Sequence, residues 1–393
     1  MTRRWRFTLV AAAMAVLSAA PILSSTNASA MPLSSKAASV VVPAEPGAGL
    51  ASLWSTNGKE IHVFYVGTDN QISNWYGDGK KWTNAALGVG EPAAVGTGLA
   101  ALWNPDGTQE DVFYVGTLGQ LYSWSWNGKK WTNKVLGVGE PAALGTGLAA
   151  YWNPDGKQAN LFYVGANGKV YNWFGNGSTW GNAALGDGKG ELAGLGTGLA
   201  ANFSPNGKEA HVFYVGADRQ VYNWYGDGKT WNNAALGAGS GEPAANARNL
   251  AAYWHPDGVE ANVFYVGIDG DIHDWLWTGT KWENSSFGTG EPTGLARGLS
   301  AFWNPDGKKA NVFYMGADSQ IFTWEWTAGT GWTNSALGKG EPAGQGTGMA
   351  ALWNPDGKTA NVFYVADKGQ PYNAPVASWD LTNSDSTWTN GQL

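Results

Sequence analysis

Histidine is the side chain best suited to acid–base work near neutral pH, and this chain has four: His62, His211, His255 and His273. One active site needs unrepeated acids, bases and nucleophiles gathered in one place. His62 and His211 instead occupy one position of a repeating pattern whose other copies carry Asp111, Asn160, Asn262, Asn311 and Asn361, so they read as interchangeable polar residues. Beyond residue 30 the arginines are Arg219, Arg248 and Arg297. Three arginines can clamp a carboxylate, but Arg248 and Arg297 are equivalent positions in successive loops and Arg219 falls in a hairpin turn. Asp380 and Asp385 have no visible partner for a glycosidase acid and base. A recurrent aspartate, at 106, 155, 257, 306 and 356, offers one carboxylate per copy, whereas a calcium loop supplies several oxygens. Its setting, Asn-Pro-Asp-Gly in most copies, is explained as a type I turn. With no cysteine there is neither a thiolate metal site nor cysteine catalysis. These residues point to a protein that is not an enzyme and needs no metal or cofactor.

The aromatic residues are a different matter. The chain has 24 Trp, and most recur in register. One series is Trp54, Trp103, Trp152, Trp254, Trp303 and Trp353. A second is Trp75, Trp124, Trp173, Trp224, Trp275 and Trp324. A third is Trp82, Trp131, Trp180, Trp231, Trp282, Trp332 and Trp388. Two uses are open to them: packing, because indole buries a large area, or stacking on the apolar face of a sugar ring while nearby amides bond its hydroxyls. Polar partners recur beside them. The position shared by His62, Asp111, Asn160, His211, Asn262, Asn311 and Asn361 is followed twelve residues on by Asn74, Ser123, Asn172, Asn223, Asp274 and Thr323. A short hairpin loop places such a pair on one face. Either the pairs satisfy local backbone groups, or they bind hydroxyls.

These positions recur because the chain repeats itself seven times. Copies begin at Leu50, Leu99, Leu148, Leu199, Leu250, Leu299 and Met349, at spacings of 49, 49, 51, 51, 49 and 50 residues. A period of this size means stacked units sharing a core. Glycine or proline interrupts every few residues, and no helical periodicity is present. Strand signals come in fours. In the third copy they cover Leu148–Asn153, Asn160–Val164, Lys169–Phe174 and Trp180–Leu185, joined by short Gly/Asn/Asp turns. Four antiparallel strands per repeat, seven times over, predict an all-β fold, a seven-bladed β-propeller. The last copy keeps the core pattern Asn361-Val362-Phe363-Tyr364-Val365, which favours a closed ring over an open solenoid.

Residues 1–30 read as a secretory signal: Arg3, Arg4 and Arg6, an apolar run Leu9–Leu23, and Ala28-Ser29-Ala30 before the expected cleavage. Arg3-Arg4 leaves the export route, general or twin-arginine, open. The expected location is extracellular, with residues 31–48 a linker and 49–393 the propeller. Removing three arginines and no acid takes the net charge from −7 to −10. An acidic, lysine-sparse surface disfavours nucleic acid and anionic lipid as partners, and no membrane insertion is expected.

The stretch Val63-Phe64-Tyr65-Val66-Gly67-Thr68-Asp69-Asn70-Gln71-Ile72, followed by Trp75 and Gly79-Lys80-Lys81-Trp82, resembles the repeat of the bacterial seven-bladed lectins of the Photorhabdus PLL type. It is also similar to the repeat of the fungal six-bladed, fucose-specific lectins of the Aleuria type. The resemblance spans Gly49 to Leu393 and implies a propeller that binds fucose or methylated sugars without chemistry. In the fungal lectins the clefts between blades hold fucose with an Arg opening strand two, a Glu late in strand three and a Trp. The matching positions here carry Asn160 and Asn172 or their counterparts, and no copy has that Arg or that Glu. The expected ligand-binding set is therefore the strand pairs with the tryptophans of strands three and four. It comprises Asn74, Asp111, Asn160, Asn172, Asn223, Asn262, Asp274 and Asn311, with Trp75, Trp82, Trp124, Trp131, Trp173, Trp180, Trp224, Trp231, Trp275, Trp282, Trp324 and Trp332. The expected partners are glycans bearing neutral sugars such as fucose. Blade seven, irregular over Gln370–Thr387, is expected to lack a competent site. A homo-oligomer is left open, as are a glycoside hydrolase or lyase and a protein-binding propeller.

Overall fold

The computed structural model describes residues 41–393 except 46, 48, 195, 246–249, 295–297, 345, 347, 356, 368–374 and 383–386. The leader, Arg248, Arg297, Asp385 and much of the irregular stretch Gln370–Thr387 lie outside the described residues. Each repeat forms one four-stranded antiparallel sheet with its strands in chain order, and there are seven such sheets. In blade three the strands are Ala149–Trp152, Ala159–Val164, Val170–Gly175 and Trp180–Ala184, within a residue or so of the sequence reading. Short 3-10 turns at Leu185–Gly188 and Leu236–Gly239 follow the fourth strands of blades three and four. The first strand of each blade lies against the first strand of the next, and Leu50–Trp54 meets Met349–Trp353. That closes the ring: a seven-bladed β-propeller.

The second strand explains why the ring holds together. It is buried along its whole length, as in Ile61–Val66 and Ala159–Val164. Successive side chains of a strand point to opposite faces, and here each face meets a different neighbour. Leu161 and Tyr163 pack with Phe113 and Val115 of blade two. Phe162 and Val164 pack with Val212 and Tyr214 of blade four. A strand apolar on both faces is therefore required, and Val-Phe-Tyr-Val supplies it.

Residues 31–48, expected to be a linker, are in part built into the ring. Ala44 bridges Gly67 as Ala93 bridges Gly116, and the Tyr65 hydroxyl donates to the Val42 carbonyl at 2.8 Å as Tyr114 does to Glu91. Glu45 N–H donates to Val66 O, the counterpart of Ala94 to Val115. Val42-Pro43-Ala44-Glu45 is thus the partner of Glu91-Pro92-Ala93-Ala94. It supplies from the N-terminal side the interblade segment that blade one would otherwise lack. Only Pro-Ala is shared between the two segments, too little for a repeat signal.

Candidate functional site

Strand alternation decides which candidates can meet. Asn160 and Asn172 share one hairpin face, and Asn172 Nδ2 donates to Asn160 Oδ1 at 2.9 Å. Their face is that of Phe162 and Val170, which looks toward blade four. Trp173 and Trp180 of the same blade look the other way, onto blade two. The tryptophans facing Asn172 are therefore Trp224 and Trp231 of blade four, and this offset of one blade recurs around the ring. It corrects any grouping of the asparagines with the tryptophans of their own sheet.

The pairs recur with varied chemistry. Asn223 Nδ2 lies 3.0 Å from His211 Nδ1 and Asn74 Nδ2 lies 3.2 Å from His62 Nδ1. Asn262 Nδ2 donates to Asp274 at 2.8 Å. Asp111 departs from the scheme: it accepts from Gln109 and from Ser125 rather than from Ser123. The strand-pair residues Asn74, Asp111, Asn160, Asn172, Asn223, Asn262, Asp274 and Asn311, with His62 and His211, are buried, none more than 8% exposed. Their hydrogen bonds remain incomplete. Ser123 Oγ, Asn172 Oδ1, Asn223 Oδ1 and Thr323 Oγ1, at equivalent positions in four blades, are buried and without a partner among the described residues. A buried polar atom left unpaired costs free energy; in blade one the equivalent atom, Asn74 Oδ1, accepts from the Val63 N–H at 3.2 Å.

The strand-three tryptophans, Trp75, Trp124, Trp173, Trp224, Trp275 and Trp324, are buried. A loop from the preceding blade lies across most of them. A Cβ on Gly90 would stand 2.6 Å from Trp124 Cζ2, and one on Gly139 2.5 Å from Trp173 Cζ2; only glycine allows that approach. The strand-four series is half-buried. Each indole meets the strand-two Phe of the preceding blade edge-on: Trp131 on Phe64, Trp180 on Phe113, Trp231 on Phe162, Trp282 on Phe213, Trp332 on Phe264 and Trp82 on Phe363, at 5.5–5.9 Å. Packing thus uses one side of these rings and leaves part of each accessible.

Between blades three and four the walls part into a cleft of about 960 Å³. Asn172 and Phe174 line it from blade three, and Trp224, Trp231 and Asn232 from blade four. Amide side chains and indoles lining one cleft, at the size of a small-molecule site, are suited to a ring that is apolar on one face and hydroxylated at its edge.

Residues 169–380, more than half of the chain, match the family described as fungal fucose-specific lectin. The chain belongs to that family. The BP39L lectin from Burkholderia pseudomallei is similar in structure, with a TM-score of 0.70 at 18% identity, covering 88% of this chain and 99% of its own. The SapL1 lectin, solved in complex with alpha methyl fucoside, has a TM-score of 0.53 at 16% identity, covering 89% and 96%. A variant of the Aleuria aurantia lectin, also solved with a methyl fucoside, has a TM-score of 0.51 at 18% identity, covering 75% and 96%. No curated protein matches the sequence significantly. The family and its lectin neighbours agree with carbohydrate binding.

Two features escaped sequence reasoning. The strand-two tyrosines bind the loops: Tyr114, Tyr163, Tyr214, Tyr265, Tyr314 and Tyr364 each donate to the carbonyl of a loop glutamate, in Gly-Glu-Pro except for Glu191 in Gly-Glu-Leu, at 2.7–2.9 Å. The same loop glutamates donate their N–H to a strand-four asparagine of the next blade, as Glu91 does to Asn133. The signal was present, a Tyr in every strand two and an Asn two residues after every strand-four Trp. The second feature is Glu110, which occupies a position that is Ala in five blades and Ile61 in blade one. It is fully buried, and His62 Nδ1 of the preceding blade stands 3.2 Å from it while His62 Nε2 stands 3.4 Å from Glu60. Burial pulls the His62 pKa down, but Glu110 and Glu60 more than offset this and leave it raised. His211 occupies the same position, with Glu209 at 3.4 Å as Glu60 is to His62 but with Ala261 in place of Glu110, and burial lowers it to about 4.

Proposed function

We propose that this protein is a secreted multivalent lectin that holds fucose, or a related neutral or methylated sugar, in the clefts between successive blades, and that it does no chemistry on it. The observation that carries this reading is the cleft lined by Asn172 of one blade and Trp231 of the next. Family membership and the fucosides bound by similar lectins support the choice of sugar. The Arg and Glu expected of the fungal fucose clamp are replaced by amides, imidazoles and short polar groups, so each site is weak. Several sites on one rigid ring gain by avidity, and near-identical repeats suit a multivalent binder better than an enzyme.

A glycan array probed with the chain lacking residues 1–30 tests this, together with agglutination of glycan-coated beads inhibited by a free neutral monosaccharide. Changing Asn74 or Trp82 in one blade should lower avidity only slightly. Complete loss from either single change would mean one unique site and would end the multivalent reading.

A further inference from the structure

The seven junctions between blades are not equal. Four of those within the chain carry a short loop of the form Leu-Gly-x-Gly-Glu, with Phe287 for Leu in one: Leu87–Glu91, Leu136–Glu140, Phe287–Glu291 and Leu337–Glu341. After blades three and four the loop gains two residues; after blade three it reads Leu185-Gly186-Asp187-Gly188-Lys189-Gly190-Glu191, and after blade four Leu236-Gly237-Ala238-Gly239-Ser240-Gly241-Glu242, without the charged pair. The loop after blade three folds into a 3-10 turn in which Asp187 takes φ 55°, a left-handed conformation costly for a residue with a Cβ. It rests on the indole of blade four, where a Cβ on Gly190 would stand 2.2 Å from Trp224 Cζ2. Asp187 and Lys189 both line the cleft already described.

The same cleft has a feature of its own. Phe174 is 37% exposed and is the only aromatic ring among the exposed large apolar side chains of the described residues. Its cross-strand neighbour is Gly181, where the other blades carry Thr, Asn or Glu, and a Cβ there would lie 3.0 Å from Phe174 Cζ. The missing side chain lets the ring lie against strand four as a platform. At about 960 Å³ the cleft is near the upper end of small-molecule sites, larger than one sugar ring needs.

We propose that the junction between blades three and four is an oligosaccharide site, in which Phe174 and the Asp187-Gly188-Lys189 loop bind the sugar next to the one held by Asn172 and Trp231. This rests on the glycan-binding reading above. Phe174 offers an apolar face to the second ring, and the Asp187 carboxylate and Lys189 ammonium accept from and donate to its hydroxyls. The site sets specificity at that junction, so the seven clefts are not copies of one receptor.

Deleting Asp187 and Gly188 leaves Leu-Gly-Lys-Gly-Glu, the same loop as Leu337–Glu341 in this protein, so the variant has a folded precedent. Phe174→Ser installs the residue that blade two carries at Ser125. Calorimetric titration of the full ring with methyl α-fucoside and with Fucα1-6GlcNAc compares one sugar with two. The expected result is a class of wild-type sites about tenfold tighter for the disaccharide, the weight of one hydrogen bond to a charged group. Either variant should lose that class and keep its methyl fucoside affinity. Unchanged disaccharide binding in both variants, or no tighter class in the wild type, would overturn the oligosaccharide site and leave the lectin reading standing. Binding of neither probe to the wild type would instead overturn the fucose reading and this inference with it.

Discussion

Replacing Glu110 by alanine should make the ring more stable in mild alkali and less stable in mild acid. Alanine is what five other blades carry at this position, so the change restores the packing the fold uses elsewhere. In the wild type, burial raises the Glu110 pKa, while His62 is held above its usual value by the Glu110 and Glu60 carboxylates against the effect of burial. A folded-state pKa above the unfolded one contributes stability at low pH that is lost as pH rises through it. Both groups therefore work against the wild type above neutrality, where Glu110 becomes a buried carboxylate beside a neutral imidazole. Replacing a buried ion pair with apolar residues gains about 1–4 kcal/mol in favourable cases. In the variant His62 should behave as His211 does, with burial lowering it to about 4. A drop of that size costs ~3 kcal/mol as pH falls from the usual histidine range through 4, so the two stability curves should cross. Urea unfolding at pH 8.5 and pH 5 measures the crossing, and an NMR titration of the histidine ring protons follows His62 with His211 as internal standard. A variant less stable than the wild type at pH 8.5, or a His62 pKa that stays above the usual value, would refute the reasoning.

Asp274→Asn should stabilise the protein at pH 8 and change little at pH 4. Burial pushes the carboxyl up to about 8, so its contribution is present in acid and lost as pH rises toward 8. At about 1.4 kcal/mol per unit the gain is at most ~5 kcal/mol, read by denaturant unfolding at the two pH values. Gly90→Ala should destabilise by ~1–3 kcal/mol, because the added methyl would stand 2.6 Å from Trp124 Cζ2 and 2.7 Å from Asn133 Cγ. An unchanged unfolding midpoint would show that the loop can lift off the indole.

Much of the architecture could be read from residue patterns alone. Seven copies of Val-Phe-Tyr-Val between Gly/Asn/Asp turns specify short strands, and a strand apolar on both faces specifies a sheet covered twice. That combination admits few arrangements other than a ring of blades. The pairing of Asn160 with Asn172 was equally legible, because hairpin register follows from loop length. The place of Val42–Glu45 was not, because its likeness to Glu91–Ala94 amounts to Pro-Ala. It lies in the backbone hydrogen bonds, which any sequence can make.

What the chain by itself determined is therefore what depends on local spacing: strands, turns, blade count, and the faces that Asn172 and Trp173 take within one sheet. What only the tertiary structure decided is which sheets meet. Asn172 faces Trp224 and Trp231 rather than Trp173 and Trp180 because neighbouring side chains on a strand point to opposite blades. That alternation gains a partner only when the ring is assembled. The fate of Glu110 has the same origin. Nothing within twenty residues of it in sequence announces a buried ion pair, because its partner His62 belongs to the preceding blade, and a carboxylate's pKa depends on what lies within a few ångströms in space.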